Sequence, residues 1–295
     1  MIGRTIANEM KNQMNQGKVI SLMGARQTGK TTLIREMVSK ENGVVWLNAD
    51  EAAVRSVLSD VSVAKFRSIL GNNRILVIDE AQRIEDIGIK MKLMTDSLDD
   101  VQVILTGSSS FELSNKINEP LTGRKREFRL YPLSFGEMAL HHGTMEELQH
   151  LNMRLIYGSY PEVVCSLGNE KTVLMQLADS YLYKDILEWE QIKKSDRLTK
   201  LLQALAFQVG SEVSYTEIGR LIGLDNSTVE KYITLLEQAY VIFRVGSWSR
   251  NIRNELKFAK KVYFYDNGIR NAVIQNFKKT VMLNLKNDVM LNLKN

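Results

Sequence analysis

The sequence has very little cysteine and histidine. Its one cysteine, Cys165, excludes an intrachain disulfide and a cluster of metal-binding thiolates. The surrounding segment PEVVCSL predicts that this side chain is a small buried hydrophobe. The three histidines, His141, His142 and His150, lie in a polar helical stretch without a pattern of carboxylates or cysteines that would complete a metal site. We expect them to be solvated surface residues.

The sequence also lacks a long apolar run. No segment approaches the roughly 20 apolar residues that span a bilayer. The amino-terminal stretch MIGRTIANEMKNQMNQG is amphipathic, without the apolar centre and small-residue cleavage site of a secretory signal. We therefore expect no membrane insertion and a cytoplasmic location. The chain of 295 residues is long enough for two or three domains.

Acidic residues are fewer than basic ones, and the imbalance is greatest near the end of the chain. The net charge is +5, from 39 basic and 34 acidic residues. Between positions 241 and 270, only Glu255 and Asp266 oppose a run of basic residues. The run contains Arg244, Arg250, Arg253, Lys257, Lys260, Lys261 and Arg270. It is a candidate footprint for nucleic acid, although such runs are also typical of a solvated face.

The first half alternates short apolar runs with longer helical patterns, which is typical of a parallel sheet with crossover helices. Five strands are predicted, at 18–23, 43–48, 74–79, 101–106 and 126–130. The first four are mostly apolar, as strands buried on both faces are. The fifth alternates apolar and polar residues, so we expect it near an edge of the sheet.

The second half is predicted to be mainly helical. Apolar residues recur at helical spacing from 136 to 210, interrupted at YGSYPEVV by Gly158 and Pro161. The segment SYTEIGRLIGLDNSTVEKYITLLEQAYVIFRV then predicts a helix, a tight turn, a second helix and a strand. Asn226 or Ser227 is expected to cap the second helix. The predicted apolar faces are Ile218, Leu221 and Ile222 on the first helix, and Val229, Ile233, Leu236 and Tyr240 after the turn.

The chain ends in a short tandem repeat. VMLNLKND at 281–288 is followed at once by VMLNLKN at 289–295. Solenoid repeats have units of about 20 residues or more, so this copy is too short to build one. We assign no function to it.

The stretch GARQTGKTT predicts a phosphate-binding loop, because it follows the apolar run VISLM and precedes an amphipathic helical pattern. The loop residues are Gly24, Ala25, Arg26, Gln27, Thr28, Gly29, Lys30, Thr31 and Thr32. Gly24 and Gly29 are expected to adopt backbone angles closed to other residues, so that N–H groups point at phosphates. Lys30 is predicted to reach the outer phosphates and Thr31 to offer its hydroxyl to Mg²⁺.

Two carboxylates end another buried strand, in ILVIDEAQ. Asp79 lies at the carboxyl end of that strand, where α/β sheets place their ligands, and is predicted to hold Mg²⁺ opposite Thr31. Glu80 can orient and polarise an attacking water, which favours hydrolysis over phosphate transfer to a small acceptor. The alternative is a strand that merely ends in polar residues.

Two further positions are open to a functional and a structural interpretation. Thr106 or Ser108, in VILTGSSS, could contact the terminal phosphate or the water, or could cap the strand end. Arg124, in PLTGRKREFRL, could reach the γ-phosphate, serving a neighbouring subunit or a closed lid, or could belong to an exposed basic loop.

In combination, these motifs resemble a large prokaryotic family of AAA+-type P-loop ATPases. The matching segments are GARQTGKTT, VVWLNAD, LVIDEAQ, VILTGSSS, LTGRKREFRLYPLSFGEM and YGSYPEVV, in this order within positions 4–277. Members join an ATPase core to a winged helix and a C-terminal domain resembling restriction endonucleases. The resemblance implies a site lined by Lys30, Thr31, Asp79, Glu80 and positions 106–108, with Arg124 in the position of the family's GR pair. It also implies that the strand ending at Thr106 lies between the two other strands of the site.

The resemblance has a limit near the end of the chain. KKVYFYDNGIRNAVI resembles the segment that leads into the nuclease-like domain, but the spaced acidic residues and lysine of such a domain do not follow. We therefore expect that domain to be missing and no nuclease activity.

The resulting prediction is an α/β protein with a five-stranded parallel P-loop ATPase core at 1–135. A helical lid at 136–197, a winged-helix domain at 198–250 and a basic segment with the repeated tail at 251–295 follow. ATP and Mg²⁺ are the expected ligands, and the expected function is ATP hydrolysis coupled to a winged-helix module that binds DNA or protein. Duplex DNA and a second copy of the chain are the expected partners. The alternatives are a nucleotide-gated binding switch with little turnover and, less favoured because of Glu80, a small-molecule kinase.

Overall fold

The computed structural model describes residues 1–108, 117, 120–180, 195–246 and 260–278. The chain divides into two compact units, Met1–Tyr131 and Pro132–Asn295. The repeated tail and much of the basic run after position 246 lie outside the described residues. Within the described ranges, every helix is too short or too polar to span a bilayer.

The first unit is built on a five-stranded parallel sheet, as predicted. The strands are β1 (Val19–Met23), β2 (Val44–Asn48), β3 (Ile75–Asp79), β4 (Gln102–Gly107) and β5 (Lys125–Arg129). Their spatial order is β2-β3-β4-β1-β5, and all neighbours are parallel. Strand β4 therefore lies between β1 and β3, as the family resemblance implies. Each predicted strand boundary lies within one residue of the observed one.

The two edges of this sheet differ in how they were predicted. Strand β5 is an edge strand, which confirms the interpretation of its alternating pattern. Strand β2 is the other edge, and all five of its residues are only half-buried. The prediction that it is buried on both faces is therefore wrong. The Arg35 guanidinium covers the ring of Trp46 at 5.2 Å from its centroid, so a long side chain shields this apolar strand from water.

In the part of the first unit that the structure describes, five α-helices pack around the sheet. They are α1 (Ile6–Asn12), α2 (Lys30–Val38), α3 (Ala52–Val57), α4 (Val63–Leu70) and α5 (Ile87–Ser97). One core cluster joins Met10 of α1 and Leu33 and Ile34 of α2 to Ile20 and Val77 of the sheet. This packing fixes α2 against β1, and the phosphate loop connects these two elements.

The described part of the second unit is mainly helical. Its elements are α6 (Phe135–His142), α7 (Thr144–Tyr157), α8 (Pro161–Cys165), α9 (Glu170–Ala178), α10 (Ser195–Phe207), α11 (Tyr215–Ile222), α12 (Asn226–Gln238), β6 (Ile242–Val245), β7 (Lys261–Phe264) and α13 (Asn267–Val273). Gly158 ends α7 at φ 79°, and Pro161 occupies the first turn of α8, which confirms the predicted break. Cys165 is exposed at the end of α8, so the prediction that it is buried is wrong.

A buried carboxylate joins two segments that are distant in the sequence. Asp266 accepts hydrogen bonds from the backbone N–H groups of Ser159, at 2.7 Å, and Ile269, at 3.1 Å. A Cβ at Gly158 would overlap this carboxylate, which explains the glycine there. Asn271 donates from Nδ2 to the carbonyl of Ile156 at 2.8 Å. Polar residues of the segment DNGIRN therefore hold the chain around GSYP in place by hydrogen bonds to its backbone and to the end of α7.

The predicted helix, turn and second helix are present as α11 and α12, but two details of the prediction are wrong. The side chains of Ile218, Ile222 and the four residues predicted after the turn are buried, but Leu221 is 72% exposed. The prediction that Leu221 belongs to the apolar face is therefore wrong. The cap of α12 is Asp225, whose Oδ1 accepts from the Thr228 N–H at 2.9 Å, rather than Asn226 or Ser227. An aspartate at this position satisfies an N–H group that has no partner within the helix.

Candidate functional site

The phosphate loop runs from the carboxyl end of β1 into the first turn of α2. Gly29 is the residue before α2 and has φ 93° and ψ 23°, a left-handed conformation that glycine adopts without strain. Gln27 also has a positive φ, of 58°. The buried Thr28 side chain donates to the carbonyl of Ala25 at 2.8 Å and ties the loop to itself. The expected conformation of Gly29 is thus present.

Gly24 is needed for a different reason from the predicted one. It does not have a positive φ. A Cβ at this position would overlap the carbonyl oxygen of Leu130, which follows the neighbouring strand β5. The loop therefore begins where two backbones approach too closely for any side chain.

The Lys30 ammonium is folded over the loop. Its side chain is 5% exposed, and Nζ donates to the carbonyls of Gly24 at 2.9 Å and Ala25 at 2.8 Å. A buried ammonium is stable only with such partners. This position puts the positive charge inside the curve of the loop, where phosphates bind in such motifs.

Thr31 and Asp79 meet at the carboxyl edge of the sheet. The Thr31 hydroxyl donates from Oγ1 to Asp79 Oδ2 at 2.8 Å. The Thr106 hydroxyl donates to the other carboxylate oxygen, Oδ1. Because β4 lies between β1 and β3, it brings Thr106 to this point. The structure therefore assembles the predicted metal-binding pair and adds a third oxygen beside it.

Glu80 adopts a strained backbone conformation, with φ 53° and ψ 42°. Such a conformation costs a residue with a side chain about 1–3 kcal/mol and is common at functional sites. The Glu80 N–H donates to Thr106 Oγ1 at 3.2 Å, and Gln82 Nε2 donates to Glu80 Oε2 at 2.6 Å. Gln82 also donates to Ser108 Oγ at 3.1 Å. The predicted residues Glu80, Thr106 and Ser108 are thus linked in one hydrogen-bond network.

Two residues of this region were not predicted from the sequence. Gln82, two positions after Glu80 in DEAQ, is buried and connects Glu80 to Ser108. Arg4 donates from Nη1 to the Thr28 carbonyl of the loop at 2.8 Å and from Nη2 to the carbonyl of Tyr131. Gln82 could have been predicted from its position two residues after Glu80, which is close enough for their side chains to form a hydrogen bond. No local pattern marked Arg4.

Two other loop residues lie at its margin. Arg26 is half-buried, and Thr32 is exposed on the first turn of α2. The buried residues of the predicted loop are Gly24, Ala25, Thr28 and Lys30.

The structure does not bring Arg124 to the phosphate loop of its own chain. It precedes β5, and its carbonyl accepts from the N–H of Val19, at the start of β1. The loop follows the other end of β1, which at about 3.3 Å per residue is roughly 16 Å away. The Arg124 guanidinium donates from Nε to Asp96 at 2.6 Å. An approach to the γ-phosphate within one chain is thus not supported by this geometry.

The basic run of the second unit is only partly available to a partner. Arg244 is half-buried and donates to Tyr215 at 3.0 Å and to the carboxylate of Glu237. Arg270 is 7% exposed and donates to the carbonyl of Ala206 at 2.9 Å. Both arginines therefore serve the interior of the unit. Lys260 is exposed and Lys261 is half-buried, whereas Arg250, Arg253 and Lys257 lie outside the described residues.

The histidines are not all solvated. The His142 side chain is 19% exposed, and its Nε2 lies 2.9 Å from Oε2 of the buried Glu147. Ligand atoms of His142, Glu146 and His150 lie within 4.8 Å of one another. The prediction that all three are solvated surface residues is therefore wrong for His142, and a carboxylate pattern that could complete a metal site does accompany two of them. The missed signal is a histidine, a glutamate and a histidine at intervals of four residues.

Two family models match this chain, one in each half. Positions 16–139 match the family model of an AAA domain. A Walker-type ATPase of Pyrococcus abyssi superimposes with a TM-score of 0.65 at 15% identity, over 92% of this chain and 96% of that one. The first unit has an AAA-type P-loop ATPase fold. Positions 148–280, downstream of this AAA-type unit, match a domain of unknown function, DUF8612.

Curated relatives extend beyond the AAA-type unit. An uncharacterized protein of Haemophilus influenzae is 28% identical over 280 residues, 87% of this chain and 69% of that protein. An uncharacterized protein of Methanocaldococcus jannaschii is 24% identical over 268 residues, 83% of this chain and 60% of that protein. One of Mycobacterium tuberculosis is 24% identical over 274 residues, with 92% and 59% covered. The chain thus spans less than two thirds of the last two relatives.

Proposed function

We propose that this protein binds ATP with Mg²⁺ at the carboxyl edge of the parallel sheet and hydrolyses it. The observation that carries the proposal is the contact between Thr31 Oγ1 and Asp79 Oδ2, 2.8 Å apart. Hydroxyl and carboxylate oxygens are the ligands that Mg²⁺ prefers, directly or through water. They come from the helix after the phosphate loop and from β3, so two elements would hold the ion between them. Bound Mg²⁺ supplies charge neutralisation at the phosphates.

The loop residues would hold the phosphates. Lys30 lies inside the curve of the loop, where it would exchange its two carbonyl partners for phosphate oxygens. The backbone N–H groups of positions 24–32 and the positive end of the α2 dipole favour the same negative charge. The contact between Arg4 and Thr28 would keep the loop in place during this exchange.

Glu80 would orient the water that attacks the γ-phosphate. It follows Asp79 directly, and its backbone N–H is fixed by Thr106, so the carboxylate is held at the end of β3. The Thr106 hydroxyl donates a hydrogen bond to Asp79 and would therefore fix the orientation of the metal-binding carboxylate. Ser108, half-buried beyond the end of β4, is the better placed of the two hydroxyls to contact the terminal phosphate.

The Glu80→Gln variant tests this assignment against a matched control. Glu80→Gln is expected to keep ATP binding and to lose most turnover, because the amide cannot polarise water. Glu85→Gln removes the same charge from an exposed position in the same loop and is expected to keep parental turnover. The measurements are steady-state phosphate release and calorimetric ATP affinity. Equal turnover in Glu80→Gln and the parent would remove Glu80 from this role.

One observation favours a second candidate function, a nucleotide-gated switch with little turnover. Gln82 holds the Glu80 carboxylate at 2.6 Å and links it to Ser108. If this contact keeps the Glu80 carboxylate from the attacking water, ATP hydrolysis would stay slow until the contact is released. Turnover measured with and without duplex DNA distinguishes the two functions, because only a coupled ATPase is stimulated by its partner.

We further propose that the second unit contains a winged helix that binds duplex DNA. Helices α10, α11 and α12 are followed by the antiparallel pair β6-β7, which is the element order of such a domain. Helix α12 buries Val229, Ile233 and Leu236 and exposes Ser227 and Lys231. An exposed polar face of this kind can enter a major groove.

Two contacts limit what α12 could recognise. The hydroxyls of Ser227 and Thr228 donate to Asp225 at 2.6 and 2.7 Å, so their protons are used within the helix cap. These hydrogen bonds also hold the pKa of the Asp225 carboxyl well below its usual range, which keeps a negative charge at this surface. We therefore expect the affinity for DNA to come mainly from phosphate contacts of Arg250, Arg253, Lys257 and Lys260.

Salt dependence tests the DNA proposal. Neutralising Arg250, Arg253 and Lys257 together is expected to weaken duplex binding and to flatten its salt dependence by about 0.9 per lost phosphate contact. The control neutralises three exposed lysines of the first unit, Lys11, Lys40 and Lys92, which changes the net charge equally. The absence of duplex binding by the parent at low salt, in every nucleotide state, would assign this module to protein contacts instead.

Arg124 retains a proposed role only toward a neighbouring molecule. If copies of the chain associate, an exposed guanidinium at the edge strand could reach the site of the next copy after leaving Asp96. Turnover per chain would then rise with protein concentration, and Arg124→Ala would abolish the rise. Turnover that is independent of concentration and unaffected by the substitution would leave Arg124 as an exposed loop residue.

A further inference from the structure

A second group of metal-ligating side chains lies in the helical unit, apart from the phosphate loop. His142 ends α6, and Glu146 and His150 lie four residues apart on α7, so they share a helix face. One ligand atom from each of the three side chains lies within 4.8 Å of the other two. The proposed ATPase chemistry uses none of them.

The turn between the helices brings His142 to this face. Gly143 is the single residue between α6 and α7 and has φ 101°, a conformation that residues with a side chain rarely adopt. The close turn places the His142 ring against the first turns of α7. The rings of His142 and His150 meet edge to face, with centroids 6.0 Å apart.

The His142 ring is oriented by a buried carboxylate. Its Nε2 lies 2.9 Å from Oε2 of Glu147, which is fully buried. Arg154 holds the same carboxylate from its Nε at 3.0 Å. When Nε2 carries the proton and donates to Glu147, the lone pair remains on Nδ1. Carboxylates orient metal-binding histidines in this way and fix their tautomer.

His150 supplies an independent observation. Its Nδ1 atom is buried and has no hydrogen-bond partner among the residues that the structure describes. A buried polar atom without a partner is costly, by about 1–3 kcal/mol. In this cluster a metal ion, directly or through a bound water, is a partner that would offset the cost.

We propose that His142, Glu146 and His150 form a binding site for a divalent transition metal, with Zn²⁺ as the best match. Two imidazoles and one carboxylate are a ligand set that Zn²⁺ uses, with water in the fourth position. Zn–N bonds of about 2.0–2.1 Å imply ligand atoms about 3.3 Å apart. Glu146 is exposed, so its side chain is free to rotate toward the two rings, and small rotations of the side chains would close the cluster to that spacing. The bound ion would tie α6 to α7 across Gly143.

Zinc titration of the metal-free chain without a histidine tag tests the site. The parent is expected to bind one Zn²⁺ through this cluster, with an increase in Tm. His150→Ala and Glu146→Gln are each expected to weaken this binding by about tenfold or more, because each removes one of three protein ligands. Co²⁺ should show the intense visible absorption of a tetrahedral complex in the parent and lose it in His150→Ala. The parent and all variants of this experiment carry Asp79→Asn, which removes the cation site expected at the phosphate loop.

His141→Ala is the matched control. His141 is exposed beside His142 but does not belong to the cluster, so this variant is expected to keep parental Zn²⁺ affinity. Circular dichroism of each variant verifies that it is folded. Parental affinity in both His150→Ala and Glu146→Gln, equal losses in His141→Ala and His150→Ala, or no Zn²⁺ binding by the parent would each overturn the proposal.

Discussion

At the scale of the residue, Gly24 shows how a backbone contact sets the start of the phosphate loop. Its neighbour in space is the carbonyl of Leu130, and no room remains for a Cβ. Leu130 in turn donates its N–H to Met23 at 2.7 Å, so the two strands are held together at this point. A side chain at Gly24 would have to push β1 and the residue after β5 apart.

Gly24→Ala is therefore expected to lower Tm and to weaken ATP binding, because the displaced loop no longer presents its N–H groups correctly. Gly3→Ala is the control, since a Cβ at Gly3 meets nothing within 4 Å. Thermal unfolding and calorimetric ATP affinity measure the two effects. Parental values in Gly24→Ala would show that the contact with Leu130 does not constrain the loop.

The ionisation of the buried Asp266 carboxyl is coupled to folding. Burial raises the pKa of its carboxyl from 3.8 to about 6, against the opposing effect of hydrogen bonds from the N–H groups of Ser159, Ile269 and Gly268. The folded state thus prefers the protonated form. The stabilising effect of this group is fully present below pH 3.8 and is lost as the pH rises through about 6.

The parent is expected to lose about 2.4 kcal/mol of unfolding free energy between pH 4 and pH 7 relative to Asp266→Asn, at about 1.4 kcal/mol per pKa unit. Denaturant unfolding of both chains across this range measures the difference. If Asp266→Asn does not fold, a carbon NMR titration of the parent is expected to show a carboxyl midpoint near 6 for Asp266. A midpoint near 3.8 would contradict this account.

At the scale of the element, α11 shows the limit of periodicity as a guide to burial. Positions 218, 221 and 222 fit one helical face, but only Ile218 and Ile222 are buried. Leu221, with Gln208, Glu217 and the inner side chain of Ile218, lines an open surface cavity. A short helix that packs along one narrow line leaves the third residue of its apolar stripe in water.

Ile222→Ala is expected to cost about 2–4 kcal/mol of unfolding free energy, because it leaves a cavity in a packed interface. Leu221→Ala is expected to change it by less than about 0.5 kcal/mol, since Leu221 is 72% exposed. Denaturant unfolding of both variants measures the contrast. Equal losses would mean that Leu221 is covered in solution.

The strands of the first unit were predictable because a buried parallel strand is a continuous apolar run with clear ends. Which strand lies at an edge was predictable for β5, whose pattern alternates, but not for β2. The ring of Trp46 on β2 is covered by the Arg35 side chain, and this contact between distant residues leaves no trace in local periodicity. The cap of α12 was missed because the local signal is ambiguous. Three adjacent residues, Asp225, Asn226 and Ser227, all have side chains that can cap a helix.

At the scale of the whole molecule, the site depends on the order of strands that are distant in sequence. The motifs identify Lys30, Thr31, Asp79 and Glu80, and these residues meet because β4 joins β1 to β3. The roles of Thr106 and Gln82 follow from that strand order, so sequence analysis could only leave the first open and missed the second. Arg124 is the converse case, since its motif suggested the site and the topology places it at the other end of the sheet.

The most direct test of the account is phosphate release from ATP by the parent chain, with Mg²⁺ and with a chelator, beside the Lys30→Ala variant. We expect phosphate release that requires Mg²⁺ and that disappears in Lys30→Ala together with tight ATP binding, because the charge that offsets the outer phosphates is gone. Release at the parental rate by Lys30→Ala, or no ATP binding by the parent with Mg²⁺, would contradict it.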